Sequence, residues 1–324
     1  MKVTIVHNPE AGTGSGATAG QLLRTIGNAG HSARYQSTKE PDWHRVLDAP
    51  TDIIAVAGGD GIVGRVAKRC VGRGIPIAIL PLGTANNIAR ALGLTDISLD
   101  RLVEQWNTAP HETIDVAWAT GPWGSLAFIE GMGVGLFTEV MSQLDSRGNR
   151  DLAYLENPEE KIASVQDVLR DHLSRYVSFR MKVFLDGRDL SGEFILLEAL
   201  NIQSVGPNLC LAPAANPSDG LLDLASFYEG QQDDLISQLD KNGPGTSSPL
   251  SPPLGVHRGR LLEIELQGLQ VHIDDEVWPE QNSQSLFSPI EITASIKGDS
   301  LAFLRGNGVE NCSGHSNANP STGR

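Results

Sequence analysis

The chain has 324 residues, with 25 Lys and Arg against 39 Asp and Glu, a formal charge of −14 and a pI near 5.0. That balance excludes a nucleic-acid binder, because neutralising phosphates takes a surplus of basic residues, and it excludes an electrostatic anchor on anionic lipid. No apolar run approaches the roughly 20 residues of a membrane helix, and the amino terminus breaks too soon for a signal peptide.

The three cysteines, Cys70, Cys210 and Cys312, are far apart and odd in number, which suits neither a disulfide framework nor a zinc site. A cytoplasmic protein of about two domains is expected.

Along the first hundred residues, short apolar runs alternate with helical patterns. Lys2–Val6 reads as a strand, and Gln21, Leu22, Leu23, Ile26 and Ala29 form a helical stripe. His31–Ser37 reads as a second strand. Asp52–Ala57 is an apolar run ending at Gly58, as expected of a buried parallel strand. Ile62, Val63, Val66, Ala67 and Cys70 repeat at helical spacing, Pro76–Leu80 is another buried strand, and Thr84–Leu92 another helix. This alternation predicts an α/β fold, a doubly wound parallel sheet whose ligands lie at the carboxyl ends of the strands.

From Thr113 the pattern changes. Ile114–Ala119 and Leu126–Glu130 flank a turn of Thr-Gly-Pro-Trp-Gly, a hairpin signal. A helix is expected within Pro158–Tyr176. Val177–Leu185, Glu193–Asn201, Leu221–Tyr228, Leu261–Leu266, Leu269–Ile273 and Pro289–Ile296 read as strands, so the second half is predominantly β and sandwich-like. Lys241–Pro253 reads as a loop. The expected domains are a parallel-sheet unit at 1–115, a β-rich unit at 116–305 and a disordered tail at 306–324.

Glycine, 35 residues in all, clusters after the apolar runs. Gly12-Thr13-Gly14-Ser15-Gly16-Ala17 fits a dinucleotide fingerprint only weakly. Asn8-Pro9-Glu10 separates it from its strand, and Tyr35, Gln36 and Ser37 stand where an acidic ribose ligand belongs. Gly58-Gly59-Asp60-Gly61 is the stronger signal. Glycines at a strand end let backbone N–H groups converge on phosphate, and the following helix points its positive end at the same place. Asp60 then calls for Mg²⁺ or a donor network, or else it is a plain helix N-cap. Pro81-Leu82-Gly83-Thr84-Ala85-Asn86-Asn87 ends the next strand and offers a hydroxyl and two amides, with Thr84 available as a cap. Trp118, Trp123 and Trp278, together with His7, His272 and Cys70, read as packing residues.

The order Asn8-Pro9…Gly12, Gly58–Gly61 and Pro81–Asn86, followed by Asn201, Ala212–Asp223 and Ile273-Asp274-Asp275-Glu276, resembles the diacylglycerol/sphingosine lipid kinase family, in particular its soluble bacterial members. The resemblance spans about residues 1–305. It implies ATP at Asn8, Thr38, Gly58, Gly59, Asp60, Gly61, Ile62, Val63, Gly64 and Thr84. It implies Mg²⁺ at Asn216, Asp219 and Leu221, with Glu276 as the general base and Asp60 beside it in catalysis. The expected partner is a lipid substrate taken during transient membrane contact, and a homodimer is compatible with the pattern.

Departures from the family pattern are Ile62, Gly64 and Arg65, where Thr, Asn and Glu are usual, Asp275 in place of glycine, and Glu130 in place of Asn. They leave two other readings open. One is a kinase of a soluble acceptor such as NAD, and the other is a non-catalytic nucleotide- or lipid-binding protein.

Overall fold

In the computed structural model, residues 1–12, 17–146, 155, 157–241, 255–279 and 288–306 are described. Most of the Gly12–Ala17 motif, the expected loop beyond Lys241 and the expected tail beyond Gly306 lie outside them.

The amino-terminal strands β1 (Lys2–His7), β2 (Ser32–Ser37), β3 (Ile53–Gly58) and β4 (Ile77–Pro81) pair in parallel in the order β2-β1-β3-β4. Every residue of β3 is buried, which explains its unbroken apolar run between two layers of helices. Those helices are α1 (Ala19–Asn28), α2 (Asp60–Cys70), α3 (Asn87–Ala91) and α4 (Leu99–Gln105). Thr18 and Gln21 form a capping box that starts α1. The registers His7↔Ala57 and Gly58↔Pro81 bring the strands' carboxyl ends level, so the loops after β1, β3 and β4 leave from one edge.

Helix α3 starts at Asn87 rather than at the expected Thr84. Asn86 takes a left-handed backbone (φ 53°), and its side chain folds back onto Gly83, accepting from Gly83 N at 3.0 Å and donating to Gly83 O at 2.8 Å. The stretch from Gly83 to Asn86 is therefore a turn closed by the Asn86 side chain, while Leu82 N donates to Gly58 O at 3.0 Å.

The second half begins with the hairpin β5 (His111–Gly121) and β6 (Gly124–Phe128), and β7 (Gly131–Gly135) follows. Next come α5 (Leu136–Ser146), α6 (Pro158–Leu173), β8 (Phe179–Leu185), β9 (Arg188–Asp189) and β10 (Gly192–Leu200). The short pair β11 (Ser204–Val205) and β12 (Leu209–Cys210) precedes β13 (Leu222–Tyr228) and α7 (Gln232–Lys241). The chain ends with β14 (Val256–Gly259), β15 (Leu261–Leu266), β16 (Val271–Ile273), β17 (Glu276–Trp278) and β18 (Ile290–Leu304). Helices α5, α6 and α7 share a core with the back of β10 through Phe137, Leu169, Leu235 and Ile195. The architecture is thus an amino-terminal parallel-sheet unit followed by a mostly β unit. Trp123 and Trp278 pack edge to face at 4.6 Å against the second core, as packing residues should.

β18 ties the two halves together. It pairs antiparallel with β15 and with β5, and its end returns to β4 in parallel at Phe303↔Ile77. Leu301, Phe303 and Leu304 accordingly lie in the amino-terminal core, and Phe303 is fully buried. Truncating such a ring removes buried area and leaves a cavity at the joint. Phe303→Ala should therefore lower unfolding free energy by about 3–5 kcal/mol, checked by denaturant titration.

Candidate active site

The loops at the carboxyl edge of the parallel sheet meet backbone to backbone. A Cβ on Gly83 would lie 2.3 Å from Gly59 Cα, and one on Gly12 would lie 2.6 Å from Leu82 O, so neither position admits a side chain without displacing main chain. Asn8 sits beside Gly58 at the end of β1, held by Asn8 N donating to Ala57 O at 2.9 Å. Thr38 follows β2 and donates its N–H to His7 O at 2.9 Å. Asn8, Thr38, Gly58, Gly59, Asp60, Gly61, Gly64 and Thr84 therefore all belong to this edge. Ile62 and Val63 contribute backbone there, since both side chains are buried and Ile62 turns its Cγ2 toward Gly58.

Asp60 does not cap its own helix, whose N-cap is Gly59. Its carboxylate reaches across and accepts from Asn87 N and Ile88 N, both at 3.0 Å, capping α3 instead. The sequence left open Mg²⁺, a donor network or a plain cap of its own helix, and the partners seen here are backbone donors. Burial raises the Asp60 carboxyl above the usual range, against the pull of these amides.

Facing the Gly58–Gly61 loop is the turn between β16 and β17. Asp274 has a left-handed backbone (φ 51°) and is almost fully buried. Its carboxylate accepts from Ile129 N at 3.1 Å and Glu130 N at 2.9 Å, more distantly from Gly131 N at 3.4 Å, and pairs with Lys68 Nζ of α2 at 3.1 Å. The Asp275 carboxylate hangs over Gly61, 2.7 Å from where a Cβ would stand. Its outer face is open to solvent, yet surrounding protein atoms raise its carboxyl, which Lys68 and Arg65 partly counter. Glu276 is exposed at the first position of β17.

Between loop and turn lies a cavity of about 150 Å³ lined by Asp60, Asn87, Glu130, Phe137, Asp274 and Asp275, among others. Glu130 Oε1 accepts from Asn87 Nδ2 at 2.6 Å and Gly206 N at 3.2 Å. Burial, with the charges of Asp60 and Asp274, pushes Glu130 well above the ordinary carboxylate range. Asn87, Lys68 and Asp274 belong to this site beside the expected residues. Asp274 lay inside the Ile273–Glu276 motif and Asn87 inside the second loop, but Lys68 carried no sequence signal.

Asn216, Asp219 and Leu221 gather elsewhere, where β13 begins beside β5. Asp115 N donates to Pro217 O at 2.7 Å, and Gly220 N donates to Asp115 Oδ2 at 2.8 Å. Arg258 pairs with Asp219 and, at 3.4 Å, with Asp223. His272, read as a structural histidine, is fully buried with its Nε2 2.8 Å from Glu198 Oε2, and His7 is held by the Tyr35 hydroxyl at 2.8 Å.

Comparison with known proteins sets this geometry in a family. Residues 2–119 match the diacylglycerol kinase catalytic domain, and residues 138–294 match the YegS C-terminal NAD kinase beta sandwich-like domain. The chain belongs to the diacylglycerol kinase family. It is a lipid kinase by that membership.

A diacylglycerol kinase from Mycobacterium tuberculosis is 25% identical over 292 residues, covering 85% of this chain and 88% of that protein. A Pseudomonas putida protein named probable lipid kinase YegS-like is 30% identical over 231 residues, covering 69% of this chain and 70% of that protein. The crystal structure of a diacylglycerol kinase from Bacillus anthracis superposes with a TM-score of 0.64 at 18% identity, covering 95% of this chain and 98% of that one, a likeness of fold. Among the described residues, no helix of this lipid kinase is long and apolar enough to cross a membrane.

Burial pushes the Asp223 carboxyl from 3.8 up to about 6, with Arg258 opposing and Asp219 adding to the rise. Between these values the folded kinase holds a proton that the unfolded chain has released. Stability from this group is therefore fully present below about pH 4 and falls as pH rises toward 6. In metal-free buffer at pH 7.5, Asp223→Asn should be more stable than the parent by on the order of 1 kcal/mol, with the difference gone near pH 4 in melting curves.

Proposed function

We propose that this lipid kinase transfers the terminal phosphoryl group of ATP to a lipid hydroxyl, on a diacylglycerol-like or long-chain-base acceptor. The single observation carrying the reading is the convergence of the Gly58–Gly61 loop with the Asp274–Glu276 turn across one small cavity.

The glycine loops suit a triphosphate because Gly59 and Gly83 pack main chain against main chain at the carboxyl edge of the sheet, where backbone N–H groups can serve phosphate oxygens. Asp60, tied to the start of α3, fixes that loop against the second one. Glu276, exposed and next in the chain to Asp275 of the cavity lining, takes the proton from the attacking hydroxyl, the role the family resemblance gives it. The buried face of Ile62 turns inward to Gly58, so this departure from the family pattern reads as packing beneath the loop. The −14 charge and the cleft together suit a cytoplasmic enzyme that meets the membrane briefly to take its acceptor.

Asn216, Asp219 and Leu221 fit a Mg²⁺ ion in their surroundings. Asp219 lies near Asp115 and Asp223, whose carboxyls are raised by burial and further by the Asp219 charge. Arg258 pairs with Asp219 and Asp223, and buried Asp223 Oδ1 has that 3.4 Å ion pair but no hydrogen bond. Among the described residues no three acidic or histidine side chains form a ready metal cage, so the ion would rely on backbone oxygens. The side chain of Asp219 would hold the ion, with backbone carbonyls of Asn216 and Leu221. A bound divalent cation would offset the carboxylate charge and stiffen the start of β13.

With labelled ATP and a lipid panel, the purified protein should yield phospholipid, and Glu276→Gln should lower kcat by about 10²–10⁴-fold. Equal turnover in that variant removes Glu276 as base, and phosphorylation of NAD in place of lipid would favour the soluble-acceptor reading. Mg²⁺ should raise the melting temperature of the parent but not of Asp219→Ala, as read by differential scanning fluorimetry.

A further inference from the structure

We infer that Lys68 is a positioning residue for phosphoryl transfer, its ammonium fixing the three-carboxylate turn Asp274-Asp275-Glu276 and offsetting its charge toward the incoming phosphates. The inference rests on the reading of Glu276 as base and names the group that makes its turn usable.

Lys68 lies on α2, two turns beyond the phosphate loop, so its backbone moves with that loop. Its Nζ is 3.1 Å from Asp274 Oδ2, with the two side chains 19% and 6% exposed. Asp274 is in turn held by the amides of Ile129 and Glu130, at the junction of β6 and β7. A continuous path therefore runs from the loop through Lys68 to the turn that ends in Glu276. Burial disfavours the Lys68 charge, but Asp274 outweighs it, and Asp275 and Glu276 add to the same effect, so the ammonium is kept.

The need for this cation follows from charge. Three consecutive carboxylates would repel a triphosphate. The groups facing the turn are Asp60, Arg65 and Lys68 from α2, Glu130 from the β6–β7 junction, His272 from β16 and Glu198 from β10. Asp60 and Glu130 add no positive charge, and His272 is matched by Glu198. Arg65 is exposed, and its Nε donates to Gly61 O at 3.1 Å. Lys68 is the part-buried ammonium that pairs with a carboxylate of the turn, whereas buried His272 meets the turn at the Asp274 carbonyl and is paired with Glu198. Gly61 has no side chain and leaves room for Asp275, while Lys68 and Arg65 counter the carboxylate that stands where the family has glycine.

The test uses the full chain, ATP and whichever diacylglycerol or long-chain base the parent phosphorylates. Lys68→Met should lower kcat about tenfold or more with little change in the KM for ATP. It should also move the acidic limb of the kcat profile to higher pH by roughly half a unit or more, because a cation that favours ionised carboxylates is gone. Lys68→Arg should recover most of both. Lys68→Gln keeps a donor toward Asp274 and must show the same loss, which decides the matter if the methionine variant does not fold. An unmoved acidic limb with kcat within about twofold of the parent overturns the proposal. So does an arginine variant as poor as the glutamine one. If Glu276→Gln is inactive while the Lys68 variants are normal, this inference fails and the base assignment stands. Full activity in Glu276→Gln removes the assignment itself.

Discussion

The Asp274 carboxylate is the constraint on which the active site depends. A buried carboxylate is tolerable only when its lone pairs and charge are matched, and here two backbone amides of the β6–β7 junction and one ammonium from α2 do so. The amides come from the β-rich half and the ammonium from the parallel-sheet half. One side chain thus holds the strand framework of one unit against the helix that starts at the other unit's phosphate loop. Its left-handed backbone turns the chain so that Asp275 follows over Gly61, with Glu276 exposed next to it in the chain. A second tie of the same kind runs through Asp60, which spans from the start of α2 to the start of α3.

These polar ties work because the apolar framework leaves the two halves little freedom. β18 starts beside β15 of the β-rich half and finishes in the first core beside β4, so one continuous sheet runs through both halves. An element shared by both cores fixes their relation with hydrogen bonds and buried area at once. The cleft then needs only short-range contacts for its fine geometry. In this setting four carboxylates can line one small cavity, because each has a partner. Asp60 has amides, Asp274 has amides and Lys68, Glu130 has Asn87 and Gly206, and Asp275 has nearby cationic charge.

Much of the fold was legible because its signals are local. The apolar runs before Gly58 and Pro81 report strands buried on both faces, and the Thr-Gly-Pro-Trp-Gly turn reports a hairpin. The glycines of the loops were legible as places of close backbone approach, since that is a property of the residue type. The early start expected for α3 failed because helical spacing is blind to Asn86 folding back onto Gly83. Strand β7 and helix α5 escaped notice because glycine has little strand preference, and the run into Leu136 shows no clear period. The glycine at 133 is explained across the sheet, where the Glu198 carboxylate takes the space a Cβ would need.

By itself, then, the sequence determined the parallel sheet with its glycine-lined carboxyl edge, the β-rich second half and the family motifs, because propensity, periodicity and glycine placement act within a few residues. The tertiary structure alone decided which carboxylate meets which partner. Asp60 caps a helix 27 residues away, Asp274 reaches Ile129 and Lys68, and Glu130 is pushed toward its neutral form by neighbours distant in the chain. Burial and charge pairing are properties of what the fold brings together. The same Asp or Lys in a sequence carries no mark of whether it will end in water or against an opposite charge.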